Sequence, residues 1–158
     1  MNKTISVWLI LEDGKDKGKI VLQRRSADEK SFPFVFQATW SGSVEPRENV
    51  ISAVKRECKE EIGDEFYSKF DFSKLKFLAK QNFFRKSTGN VWECHHYIGQ
   101  INAENLKLAK LQKGAFPEFI FADEKSEIYP IESGKNPKNN IALFDDQYKI
   151  LSKILNAN

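Results

Sequence analysis

Apolar residues fall into short runs separated by polar turns, and the spacing within each run predicts its conformation. Ile5 to Leu11 reads as a buried strand, Gly14 to Gly18 as a turn and Lys19 to Gln23 as a second strand, together a hairpin. Further strands are predicted over Val35 to Trp40, Leu75 to Phe84, Val91 to Ile101 and Phe116 to Phe121. Val50, Val54, Cys58 and Ile62 recur every fourth residue, which places them along one stripe of a helix. Asn49 is placed to cap its start and Gly63 its end. A second amphipathic helix is predicted from about Leu143 to Leu155, after a polar, turn-rich segment from Glu132 to Asn140. The pattern predicts a mixed sheet flanked by helices, an α+β or α/β sandwich.

Composition narrows the class of protein. At 158 residues the chain matches one average domain, and folding should bury roughly 70% of the surface exposed by the unfolded chain. No repeat or linker divides it, so a single domain over 1–158 is expected. Its 41% hydrophobic and 30% charged residues exclude a largely disordered, collagenous or coiled-coil chain. The apolar runs are too short to span a bilayer and no signal-peptide pattern opens the chain, so a cytoplasmic location without a membrane partner is expected. Cys58 and Cys94 are too few for a disulfide scaffold or a zinc cluster of their own and are read as reduced, buried thiols. The 25 basic and 22 acidic residues are dispersed, so attraction to phosphate must be local; a nucleic-acid partner is not expected from charge.

Glu57, Glu60 and Glu61 stand at i, i+3 and i+4, which puts three carboxylates on one side of the predicted helix. In isolation they fit either a solvated acidic face or a hard-cation site. The surrounding pattern is longer. Gly42-Ser-Val-Glu-Pro-Arg-Glu48, seven residues, then Arg56-Glu57-Cys58-Lys59-Glu60-Glu61-Ile62-Gly63 resembles the Nudix box, G-x5-E-x7-R-E-U-x-E-E-x-G-U, where U is a bulky aliphatic residue. Every fixed polar and glycine position matches. Cys58 is a small apolar substitute at one U position, and Asp64 replaces the aliphatic residue just past the helix.

The resemblance implies the Nudix fold, an α/β/α sandwich in which the box forms a loop, a helix and a loop. It implies that Glu57, Glu60 and Glu61 bind magnesium, with manganese as a substitute, and that Arg56 and Glu48 join helix to loop by an ion pair. Gly42 would allow close backbone approach at the loop's start. The reaction implied is hydrolysis of a diphosphate linkage in a nucleoside diphosphate derivative or related small molecule, by cations that neutralise phosphate oxygens and activate water. A glutamate of the box, or one outside it, accepts the water's proton. Glu93 is the outside candidate, because alternation sets Glu93, His95 and Tyr97 on one strand face.

The segment Gln23-Arg-Arg-Ser-Ala-Asp-Glu-Lys-Ser-Phe-Pro33 is similar to the corresponding stretch of isopentenyl-diphosphate isomerases and their hydrolase-like relatives, which makes Arg25 and Lys30 phosphate-contact candidates. Phe34 follows where many such relatives have glycine, and is also a candidate for stacking on substrate. No cysteine occurs around Thr39 to Gly42, where those isomerases place a catalytic one. His95 and His96 are adjacent on a strand, point to opposite faces and are read as structural. Two alternatives to the hydrolase stand beside it: an isomerase of isoprenoid diphosphates, and a non-catalytic nucleotide- or RNA-binding Nudix domain. Exposed aromatic strands would also allow a homodimer.

Overall fold

The computed structural model describes residues 2–86, 88–110 and 118–157. Its central strand is β1 (Asn2–Leu11), whose alternation sorts side chains to two faces: Ile5, Val7, Leu9 and Leu11 enter one core, while Trp8 and Ile10 enter the other. On one edge β1 runs parallel to β6 (Asn90–Ile101). Its other edge is shared, with β2 (Ile20–Arg24) antiparallel beside Leu9 and Ile10 and β4 (Trp40–Ser43) antiparallel beside Thr4 to Val7. The mixed sheet runs β5 (Lys76–Arg85), β6, β1, β2, β3 (Phe36–Gln37), β9 (Ile141–Leu143) and β8 (Ile128–Pro130), with β4 on β1 and β7 (Glu118–Ala122) on β2.

Helices cover both faces. On one lie α1 (Val50–Ile62), α2 (Asp64–Lys69) and the single turn α3 (Ala103–Leu106); on the other lies α4 (Asp145–Asn156). The arrangement is the α/β/α sandwich expected. On α1, Ala53, Val54, Cys58 and Ile62 are buried; Asn49 accepts from Ser52 N at 2.8 Å, and Gly63, at φ 102°, donates its N–H to Lys59 O. Asp64 does not leave a gap. It is the exposed first residue of α2, where a carboxylate suits the helix N-terminus, and Phe66 supplies the buried side chain beside Trp40. Trp40 itself donates Nε1–H to Val54 O at 3.0 Å, fastening α1 to the sheet.

Several predicted boundaries move for identifiable reasons. The strand expected over Val35 to Trp40 is two strands, because the chain changes partners at Ala38 and Thr39. Ala38 N donates to the side chain of Gln147, while Thr39 Oγ1 donates to Val21 O and accepts from Leu9 N. The last helix begins at Asp145, since Ile141 to Leu143 pairs in parallel with β8. Strands β8 and β9 carry only three residues each, too short for a visible alternation. Of the strand predicted from Phe116, the first two residues lie outside the described ones, and the rest forms β7.

The second core buries a titratable group. His96 is fully enclosed; Trp8 Nε1–H donates to its Nδ1 at 3.1 Å, so its own N–H is on Nε2 and donates to Gln81 Oε1 at 3.1 Å. Burial pushes its pKa down to about 4 from 6.5, and nearby His95 adds to the effect. Between these values the unfolded chain takes up a proton that the folded chain refuses, so stability falls as pH falls through this window. The loss attributable to His96 is about 3 kcal/mol. Urea unfolding of the wild type and of His96→Asn from pH 7 to pH 4 should therefore give a flatter profile for the variant; parallel profiles would mean that His96 titrates alike in both states.

Candidate active site

The box folds as a loop, helix α1 and a turn, tied together by one side chain. Arg56 donates from Nε and Nη2 to the two oxygens of Glu48 at 2.8 and 3.0 Å, and from Nη2 to Ser43 O at 2.8 Å. Its Nη1 donates to Glu57 at 2.9 Å and to Glu60 at 3.1 Å. The fork thus joins the end of β4, the loop and the helix's carboxylates. Hydrogen bonding from Arg56 holds the Glu48 carboxyl below its ordinary range, and the same contacts keep Arg56 protonated.

A cleft of about 1260 Å³ opens beside this clamp, between the box, the loop after β2, the end of β5 and the start of α4. Glu57 and Glu61 line it, together with Ser41 and Gly42. Gly42 lies so close to Glu57 that a Cβ there would overlap the carboxylate. Glu61 accepts from Ser41 N at 3.2 Å and from Gln37 Nε2 at 3.4 Å. Glu60 is half exposed and leans on Arg56 rather than lining the cleft. Among the described residues no three His, Cys, Asp or Glu side chains converge as an ion-binding group. Magnesium, however, is commonly held by one or two carboxylates with water and substrate oxygens completing the octahedron, and hard carboxylate oxygens fit that requirement.

The cations upstream of the box are placed differently from one another. Arg25 lines the cleft, but its guanidinium closes its own loop, donating to Phe32 O, Ser31 O and Glu29, with Phe144 beneath it at 5.7 Å. Arg24 is tied to Glu118 and to three carbonyls. Lys30 is exposed and does not line the cleft. Phe34 is also absent from the lining; its ring lies beneath Arg24 and Lys138. It adopts φ 68°, a left-handed conformation open at little cost to the glycine many relatives have there. Two exposed rings line the cleft, Phe84 and Phe32, the latter packed edge-on against Phe144 at 5.3 Å.

Glu93 bonds His95 at 2.6 Å, which holds its carboxyl low, and it is not among the cleft-lining residues. His95 and His96 face opposite sides of β6. Residues that the sequence reading did not single out line the cleft instead: Gln23, Gln37, Arg85 and Asp146. Burial pushes the Asp146 carboxyl up, and Cys94 Sγ lies 3.8 Å from it. Arg85 is stacked over Trp92 at 4.8 Å and near Phe83 at 5.7 Å, and among the described residues its guanidinium donates to no carboxylate or carbonyl. The signal available in sequence was faint, a polar residue at a strand position that alternation would make apolar, as at Gln23 and Gln37.

Known proteins share this architecture. A NUDIX hydrolase from Alicyclobacillus acidocaldarius superposes with TM-score 0.61 at 10% identity, over 98% of this chain and 91% of that one. A MutT/nudix family protein from Enterococcus faecalis gives 0.65 at 18% identity, over 99% of this chain and 61% of that one. The dihydroneopterin triphosphate pyrophosphohydrolase of E. coli gives 0.51 at 16%, over 77% and 80%. At such identities the likeness is one of fold. No curated protein matches the chain. The family model for the NUDIX domain matches residues 2–140, which together with the box clamped on α1 places this chain in the NUDIX domain family.

Proposed function

We propose that this NUDIX protein is a divalent-cation-dependent hydrolase that cleaves a diphosphate linkage in a nucleoside diphosphate derivative or a related small molecule. Hydrolysis of a pyrophosphate bond is the activity class that goes with its family. The carrying observation is the placement of Glu57 and Glu61 on the wall of a cleft large enough for a nucleotide, with Arg56 holding helix and loop in register. Magnesium, or manganese in its place, would be held by Glu57 and Glu61, with Glu60 completing the set carried over from the box. Such an ion neutralises phosphate oxygens and lowers the pKa of a bound water.

The chain's own residues have distinct parts in this reading. Gly42 lets the backbone meet Glu57 without displacing it. A box glutamate is the proposed proton acceptor, because Glu93 is bonded to His95 and does not line the cleft. Arg85 is the proposed phosphate contact, since Arg25 and Arg24 are committed to protein acceptors while Arg85 lines the cleft and, among the described residues, donates to no carboxylate or carbonyl. A small-molecule substrate and a cytoplasmic setting complete the proposal, and among the described residues no helix is long and apolar enough to cross a membrane.

Release of phosphate or pyrophosphate from nucleoside diphosphate derivatives, nucleoside triphosphates, dinucleoside polyphosphates and isoprenoid diphosphates, with magnesium, manganese or chelator, tests the reading. Turnover of one class that the chelator abolishes is expected; folded protein that turns over none of them overturns it. Glu57→Gln and Glu61→Gln should each lower kcat/KM at least about a hundredfold, with the melting midpoint nearly unchanged. Arg85→Gln should raise KM about tenfold at similar kcat, the loss of one charge-assisted contact to phosphate, whereas Lys30→Gln should leave both constants unchanged.

A further inference from the structure

Two glutamines sit where a strand core would ordinarily be apolar. Gln23 on β2 pairs directly with Gln37 on β3, both are buried, and both line the cleft beside Glu61. Burying two primary amides is unfavourable unless their hydrogen bonds are made, and here they are made in series. Thr39 is pinned through Oγ1 to Val21 O at 2.7 Å and to Leu9 N at 3.0 Å. Its carbonyl accepts from Gln23 Nε2 at 3.3 Å, which turns Gln23 Oε1 toward Gln37. Gln37 Nε2 donates to that oxygen at 2.7 Å and has a second hydrogen directed to Glu61 Oε1 at 3.4 Å. Reversing either amide would set two donors, or two acceptors, face to face, so the carbonyl of Thr39 fixes the orientation of the whole series.

We infer that Gln37, oriented by Gln23, is a positioning residue for Glu61. With Ser41 N on the other oxygen at 3.2 Å, the carboxylate is held at both ends from the strands, at the wall of the cleft. The inference rests on the reading of Glu61 as a cation ligand. Outer partners of this kind, which touch a ligand side chain and not the ion, typically change metal affinity ten- to a hundredfold when lost.

Manganese binding, followed by the electron paramagnetic resonance signal of the free ion, tests this apart from turnover. The proteins compared are the wild type, Glu61→Gln, Gln37→Met, Gln23→Met and the double variant, each with its melting midpoint. Gln37→Met should weaken binding about tenfold and Gln23→Met about threefold, at similar midpoints. The double variant should bind no more weakly than Gln37→Met, because the two amides act in series. Unchanged affinity in Gln37→Met, or losses that multiply in the double variant, would overturn the relay while leaving the cation site standing. Should Gln37→Met fail to fold, Gln23→Met carries the same decision. If the wild type binds no manganese, or Glu61→Gln binds it equally well, the cation-site reading fails and takes the relay with it.

Discussion

The candidate site depends on a single guanidinium. Arg56 directs its N–H groups to Glu48, Ser43 O, Glu57 and Glu60, and so joins three pieces of chain that would otherwise diverge after β4. A lysine could supply the charge but not the fork, which meets two Glu48 oxygens in one plane and still reaches the helix. The acidic face of α1 would repel itself if left to solvent. Partial neutralisation by Arg56 lets Glu57 stand close against the backbone of Gly42, on the wall of the cleft.

Around that clamp, the sheet divides the work between its faces. The face under α1 is an aromatic and aliphatic core in which Trp40 packs edge-on against Phe66, Phe70 and Phe72. The face under α4 mixes apolar packing with satisfied polar groups: His96 between Trp8 and Gln81, and Gln147 between Ala38 N and Ser6. Polar groups buried in this way accept only a few arrangements, so they specify where α4 docks and where β3 gives way to β4. The cleft opens at that change of partners, where the strand break leaves Gln37 and Ser41 in position to address Glu61.

The arginines that line the cleft are held there in different ways. Arg24 closes β2 and Arg25 follows it, and in sequence Arg25 reads as a phosphate-contact candidate. The chain turns back through Phe32 and Phe34, both residues with positive φ, so that Glu29 and loop carbonyls satisfy Arg25 locally, while Glu118 and the carbonyls of Pro137 and Lys138, from distant parts of the chain, take up Arg24. Arg85 comes from a strand 60 residues further along, lines the same cleft, and is packed over the rings of Trp92 and Phe83, with the Asp146 carboxylate as its electrostatic neighbour.

Local sequence was sufficient to determine the helix of the box, its caps at Asn49 and Gly63, its buried stripe, the long strands and the pattern that marks the family. Each of these rests on spacing within a turn or two of chain, or on alternation sustained over ten residues. Tertiary structure alone decided that Val35 to Trp40 divides between two partners, that three-residue strands form at Ile128 and Ile141, and that Glu57 and Glu61 rather than Glu60 line the cleft. It also brought Gln23, Gln37 and Arg85 to the lining of the cleft, which Lys30 and Phe34 do not reach. The reason is physical: a side chain's hydrogen-bond partner, and hence its direction, is set by groups brought near from distant positions, and spacing along the chain carries no information about them.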